Sequence, residues 1–117
     1  FFGIIMAVIK MIKYINDKEL NNILNSNDKV VMVFLKGNDC GVCQAAEFRI
    51  NNIMSKKFPN LDIYYLDLDD SPEFRGQHLI FTIPTILLFE GNKEIHRESR
   101  IIDFSRLERN LKIIFDE

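Results

Sequence analysis

Six successive apolar residues, Val30-Val31-Met32-Val33-Phe34-Leu35, constrain the fold more than any other stretch of this chain. A β-branched run without polar alternation is the pattern of a strand covered on both faces, so its sheet must carry helices on each side. After a polar loop, Ala45, Ala46, Phe48, Ile50, Ile53, Met54 and Phe58 recur at three- and four-residue spacings among Gln44, Glu47, Arg49, Asn51 and Asn52. That periodicity predicts a long helix with one buried side, stopped by Phe58-Pro59-Asn60. The loop between strand and helix holds both cysteines of the chain, Cys40 and Cys43.

Strands and helices alternate through the rest of the 117 residues. Met11-Ile12-Lys13-Tyr14-Ile15 alternates like a short edge strand, and Asn16 or Asp17 caps a helix whose apolar stripe is Leu20, Ile23 and Leu24. Beyond the long helix, 61–68 reads as another core strand, with Asp67, Asp69 and Asp70 at its solvated end. Ser71-Pro72-Glu73 has the form of a capped helix start with proline in the first turn, leading into a short helix through Phe74 and Leu79. Ile86-Leu87-Leu88-Phe89 predicts a fourth strand, Gly91-Asn92 a hairpin turn, and 93–97 an edge strand in which Ile95 stands between charged neighbours. Asp103 caps a final helix with Phe104, Leu107, Leu111 and Ile114 on one side. Phe48, Phe58, Phe74, Phe81, Phe89, Phe104 and Phe115 are the aromatic core candidates.

The order β-α-β-α-β-α-β-β-α predicts an α/β fold with a central mixed sheet of four to five strands flanked by helices on both faces. It occupies one domain over residues 11–117. Residues 1–10 are expected to be an N-terminal extension, irregular or foreign to the domain; their apolar run, Phe1 to Ile9, is shorter than the roughly 20 residues of a membrane span.

Fifteen Lys and Arg against 17 Asp and Glu leave a formal charge of −2, which offers no electrostatic footing for nucleic acid or an anionic membrane. The expected partners are proteins or small thiols. Two cysteines are too few for a disulfide scaffold, so the pair reads as reactive or metal-binding. At the start of a helix, Cys40 meets unpaired amide N–H groups and the positive end of the dipole, both of which favour a thiolate. Cys43, about one turn on, can reach it to close a disulfide. Asp39 beside Cys40 disfavours a second negative charge there, whereas Lys36 favours it.

Three separated features make the chain resemble the thioredoxin family: Cys40-Gly41-Val42-Cys43 after the buried strand, Thr82-Ile83-Pro84-Thr85 before the fourth strand, and the Gly91-Asn92 hairpin followed by an amphipathic helix. The resemblance covers nearly everything from Met11 onward. It implies the thioredoxin fold and thiol–disulfide exchange without a cofactor, the redox-active Cys40–Cys43 disulfide taking that place. Cys40 becomes the attacking nucleophile and Cys43 the resolving thiol. Ile83 and Pro84, a cis proline in relatives, become substrate contacts together with Gly41 and Val42. Substrates would be disulfides of proteins or low-molecular-weight thiols, with a reductase or a thiol pool as electron donor, in the cytoplasm.

The departures are specific. Thioredoxins proper usually carry Trp before the first cysteine, Gly-Pro between the two, and a buried acid on the preceding strand that serves the second cysteine. This chain has Asp39, Gly41-Val42 and Phe34 at those places, and no Trp. Glu47, four residues past Cys43, is the substitute proton acceptor the sequence offers, set against a plain solvated helix-face role. Two readings from other classes remain beside the exchanger. The two thiolates could supply half of a metal site shared by two chains, though His78 and His96 lie far off in sequence. Alternatively, the fold could serve as a non-catalytic module that holds polypeptide in the Ile83-Pro84 groove.

Overall fold

A computed structural model describes residues 12–116; the expected N-terminal extension, 1–10, and Met11 lie outside the described residues. Five strands form one mixed sheet in the order β1-β3-β2-β4-β5: β1 is Ile12–Tyr14, β2 Val30–Lys36, β3 Asp62–Asp67, β4 Thr85–Glu90 and β5 Lys93–Ser99. β3 runs parallel to both β1 and β2, whereas β4 is antiparallel to β2 and β5 to β4. The unbroken apolar run is thus the central strand, as double coverage requires.

Strand alternation divides the interior into two layers. Met32 and Phe34 point to the side closed by α2 (Gly41–Arg49, with its extension) and α4 (Phe104–Asp116). Val31, Val33 and Leu35 point to the side closed by α1 (Asp17–Ser26) and α3 (Pro72–Gln77). All five of these β2 side chains are essentially inaccessible.

Helix starts follow local chemistry. Asn16 closes α1 with a reciprocal capping box, its Oδ1 accepting from the Glu19 N–H at 2.8 Å while the Glu19 Oε1 accepts from the Asn16 N–H at 3.3 Å. Asp103 caps α4, accepting from the Arg106 N–H at 3.0 Å. The α3 start differs from expectation. Pro72 does occupy its first turn, but the buried Ser71 side chain caps nothing, and Asp17 of α1 accepts the Glu73 N–H at 3.2 Å instead. The helix also stops at Gln77, which leaves Leu79 exposed in a left-handed conformation.

The long second helix is not a uniform α-helix. After Arg49 it widens to a π turn over Ile50–Met54 and closes with one α turn, Ser55–Lys57. Four of its buried residues, Ala46, Ile50, Met54 and Phe58, are each four apart, with Cys43 three before the first. On a 3.6-residue helix that spacing drifts steadily round the axis, and the wider i→i+5 turn offsets the drift and keeps all four on the core. Phe48 and Ile53, expected in the core, are left outside, Phe48 being 66% exposed. Ala45 is exposed as well. Phe81 is a second exception among the aromatic candidates, 80% exposed in the segment leading to β4. At the hairpin, Gly91 takes φ +61°, a conformation that side chains rarely adopt.

Candidate active site

The end of β2, the start of α2 and the segment before β4 converge at one end of the central strands. Asn38 and Asp39 turn the chain out of β2, with Asp39 left-handed at φ +53°. Cys40 is then the N-cap of α2: its Sγ accepts from the Cys43 N–H at 3.1 Å, and its carbonyl accepts from the Gln44 N–H at 3.1 Å. A sulfur thus takes the place that a Ser or Asp oxygen fills in ordinary caps, directed at an otherwise orphan amide. Cys40 and Cys43 are joined as a disulfide, with Cα atoms 5.2 Å apart. The two are unequal in access. Cys40 is half-buried at the surface, whereas Cys43 is 1% exposed and shares its cluster with Phe34, Ala46 and Tyr65.

The ground beneath the pair is apolar. Phe34, where relatives carry an acid, is fully buried and meets the Tyr65 ring edge-on at 5.4 Å. The Tyr65 hydroxyl donates to Asn51, and burial pushes that hydroxyl's pKa well above its usual range, helped by the Glu47 charge. Among the described residues the one buried acid, Glu98, lies in β5, two strands from Phe34.

Glu47 is instead partnered at the surface. Its Oε1 accepts from the Lys36 ammonium at 2.6 Å and its Oε2 from the Tyr14 hydroxyl at 3.1 Å, while Lys36 also donates to the Tyr14 oxygen at 2.8 Å. Those hydrogen bonds, Glu47 first, raise the Lys36 pKa against a smaller opposing effect of burial. Lys36 therefore reaches the site with its charge already met by Glu47. Gly41 and Val42, between the cysteines, are both exposed, Val42 by 61%.

The Ile83–Pro84 peptide is cis, Pro84 is buried, and Ile83 packs against both core clusters. Two contacts fasten this segment that were not singled out in the sequence. A Cβ on Gly37 would lie 2.7 Å from Ile83 Cδ1, so the glycine three residues before Cys40 is what lets Ile83 close on the loop. The Arg100 N–H donates to the Pro84 carbonyl at 2.7 Å from a left-handed backbone, φ +69°. A glycine just past a buried strand was a legible sign of close approach, whereas nothing around Arg100 forecast its conformation. His78 and His96 lie elsewhere, at the end of α3 and in β5, and the described residues hold no group of three or more His, Cys, Asp or Glu that could bind a metal.

A dithiol of unequal access, mounted on a helix start beside a cis-proline segment of a mixed five-stranded sheet, defines a thiol–disulfide oxidoreductase of the thioredoxin fold class. The chain belongs to the thioredoxin family, whose sequence model matches residues 11–112. It is 31% identical over 87 residues to the thioredoxin-like protein YdfQ of Bacillus subtilis, covering 74% of this chain and 77% of that protein. It is 32% identical over 76 residues to the bifunctional thioredoxin reductase/thioredoxin of Mycobacterium leprae, covering 65% of this chain and 16% of that much longer one. Among solved structures, thioredoxin f from spinach chloroplast superposes with a TM-score of 0.79 at 16% identity, over 92% of this chain and 88% of that one, which speaks for the fold.

Proposed function

We propose that this protein is a dithiol reductant of polypeptide or mixed disulfides, with Cys40 as nucleophile and Cys43 as resolving thiol. The unequal burial of the two sulfurs carries the assignment: a substrate can approach the half-buried Cys40 but not Cys43. In the reduced protein, the Cys40 thiolate, stabilised by the Cys43 N–H and the start of α2, attacks one sulfur of a substrate disulfide. One substrate thiolate leaves and takes up a proton, and a mixed disulfide remains on Cys40. Cys43 then loses its proton and attacks the Cys40 sulfur, releasing the second substrate thiol. Two electrons have passed to the substrate, and Cys40–Cys43 is oxidised. A dithiol reductase or a low-molecular-weight thiol pool returns them; the reductase joined to a thioredoxin in the Mycobacterium leprae relative supports the first of these donors. Gly41, Val42 and Ile83 form the rim against which substrate backbone is laid, with the buried Pro84 behind them. We assign the work to the cytoplasm, where such donors hold thiols reduced.

The test is a trapping experiment. Cys43→Ser protein, incubated with a disulfide-containing protein, should accumulate a covalent complex through Cys40 that a reductant dissolves, and Cys40→Ser should accumulate none. Trapping through Cys43 in the Cys40→Ser protein would reverse the roles, and no complex from either would leave the fold as a binding module.

A further inference from the structure

The surface beside the dithiol is both apolar and cationic. A groove of about 360 Å³ runs from the cysteine loop along α2, between Val42, Ala45 and Arg49 on one wall and Arg100, Ile101 and Phe104 on the other. Ile101 is 85% exposed and Val42 61%, so the groove presents two large aliphatic side chains to solvent close to Cys40. Isolated exposed aliphatics are unremarkable, but two facing each other across a groove at a reactive centre form a binding feature.

The charge of the groove has one sign. Among the described residues that line it none is acidic, and two carry guanidinium groups. Arg49 Nη2 binds Glu108 Oε2 at 2.8 Å, and its guanidinium lies 5.0 Å over the Phe104 ring. Its buried Nε has no hydrogen-bond partner among the described residues. Glu108 also accepts from Lys57 at 2.8 Å, so two cations share that one carboxylate. The acids of the adjoining loop are committed to α4: Asp103 caps it, and Glu98 is held by Arg106. Arg100 sits at φ +69°, a conformation that residues with a Cβ rarely adopt and that clusters at functional sites.

We propose that this groove selects polypeptide disulfides whose cysteine is flanked by an apolar residue and a carboxylate. Val42 and Ile101 hold the apolar side chain, and the exposed Arg100 meets the acid. The inference rests on the dithiol reading above and adds to it a substrate class.

Two synthetic peptides test it, each closed by one disulfide with leucine beside a cysteine and differing only in carrying Glu or Lys at the next two positions. The reduced full chain should reduce the Glu peptide about tenfold faster than the Lys peptide at low ionic strength, and the ratio should collapse toward one in about 0.5 M salt. Arg100→Gly accepts the left-handed backbone without strain, so the fold is kept; the ratio should fall at least about threefold, and Arg100→Glu should reverse it. Equal rates on the two peptides, or a ratio unmoved by Arg100→Gly, would overturn the proposal. Uncharged hydroxyethyl disulfide separates the two levels: if the wild-type chain reduces it yet treats the peptides alike, only the selectivity is wrong. If the chain reduces none of the three, the dithiol reading has failed and the selectivity falls with it.

Discussion

Replacing Glu98 with Gln tests how the β5 edge is locked to α4. Glu98 is 2% exposed, and four donors converge on its carboxylate. Oε1 accepts from the Asp103 N–H at 3.1 Å and Arg106 Nη2 at 3.0 Å, and Oε2 from Arg106 Nε and His96 Nε2, both at 2.8 Å. The Asn110 amide lies 3.0 Å from the other ring nitrogen, His96 Nδ1. Burial alone would push the Glu98 pKa up, but Arg106, the Asp103 amide and His96 outweigh it and hold the carboxyl at about 2 against an ordinary 4.5. At about 1.4 kcal/mol per pKa unit, that difference is worth roughly 3 kcal/mol of folding free energy. Screening at the Arg106 side chain, 58% exposed, brings the expectation down to about 2 kcal/mol. Because the folded pKa is the lower one, the contribution is complete above the ordinary value of 4.5 and drains away as the pH falls toward 2. Glutamine keeps one acceptor oxygen and turns an NH2 toward two donors, so it cannot replace the carboxylate. Urea unfolding of the oxidised protein at pH 7 and pH 2.5, followed by circular dichroism, should show Glu98→Gln less stable by about 2 kcal/mol at pH 7, with much of the gap closed at pH 2.5. A difference below about 0.5 kcal/mol at pH 7, or an undiminished gap at low pH, would refute the linkage.

Two further substitutions probe the ground around the dithiol. Gly37→Ala puts a methyl group against Ile83 Cδ1; the isoleucine must leave its rotamer, at about 1 kcal/mol, and KM for polypeptide disulfides should rise in a steady-state assay, whereas an unchanged KM would remove Ile83 from the substrate rim. Glu47→Gln takes from Lys36 its counter-charge, a partly exposed pair worth about 0.5 kcal/mol, and should leave the resolution of a preformed Cys40 mixed disulfide within about threefold of wild type in stopped flow; slowing by about a hundredfold would make Glu47 the proton acceptor for Cys43.

The elements visible in the sequence were those whose signal is local and periodic. Val30 to Leu35 announced a doubly covered strand, and Asn16 and Asp103 announced caps, because each rests on neighbouring residues alone. The dithiol was legible for the same reason, as a short motif at a strand–helix junction. Features depending on distant partners were not. Counting apolar residues could not show that α2 would keep a four-residue stripe by widening to a π turn, or that Phe48, two residues past Ala46, would fall on the other side. Spacing could not show that the acid one turn past Cys43 would be held by Lys36 and Tyr14, 11 and 33 residues away in sequence. Phe81 looked like a core aromatic and stands exposed, because the segment from Ile80 to Pro84 is an irregular run of bends without a strand's alternation.

Among the described residues, the three left-handed ones other than glycine, Asp39, Leu79 and Arg100, show where this fold tolerates strain. Asp39 immediately precedes the Cys40 cap, and Arg100 holds the Pro84 carbonyl, so two of the three flank the dithiol. Such conformations persist only where the surroundings over-determine them. At Leu79 that restraint is Arg97, which donates to the carbonyls of His78 and Leu79 at 2.6 and 3.2 Å. At Arg100 it is the Glu98 carboxylate two residues before, tied to Arg106 and to the Asp103 amide three residues after. The ion pair at the β5 edge is therefore more than a fastening for α4. It brackets the loop that presents Arg100 and Ile101 to the groove, so the selectivity proposed for that groove depends on a buried charge outside it.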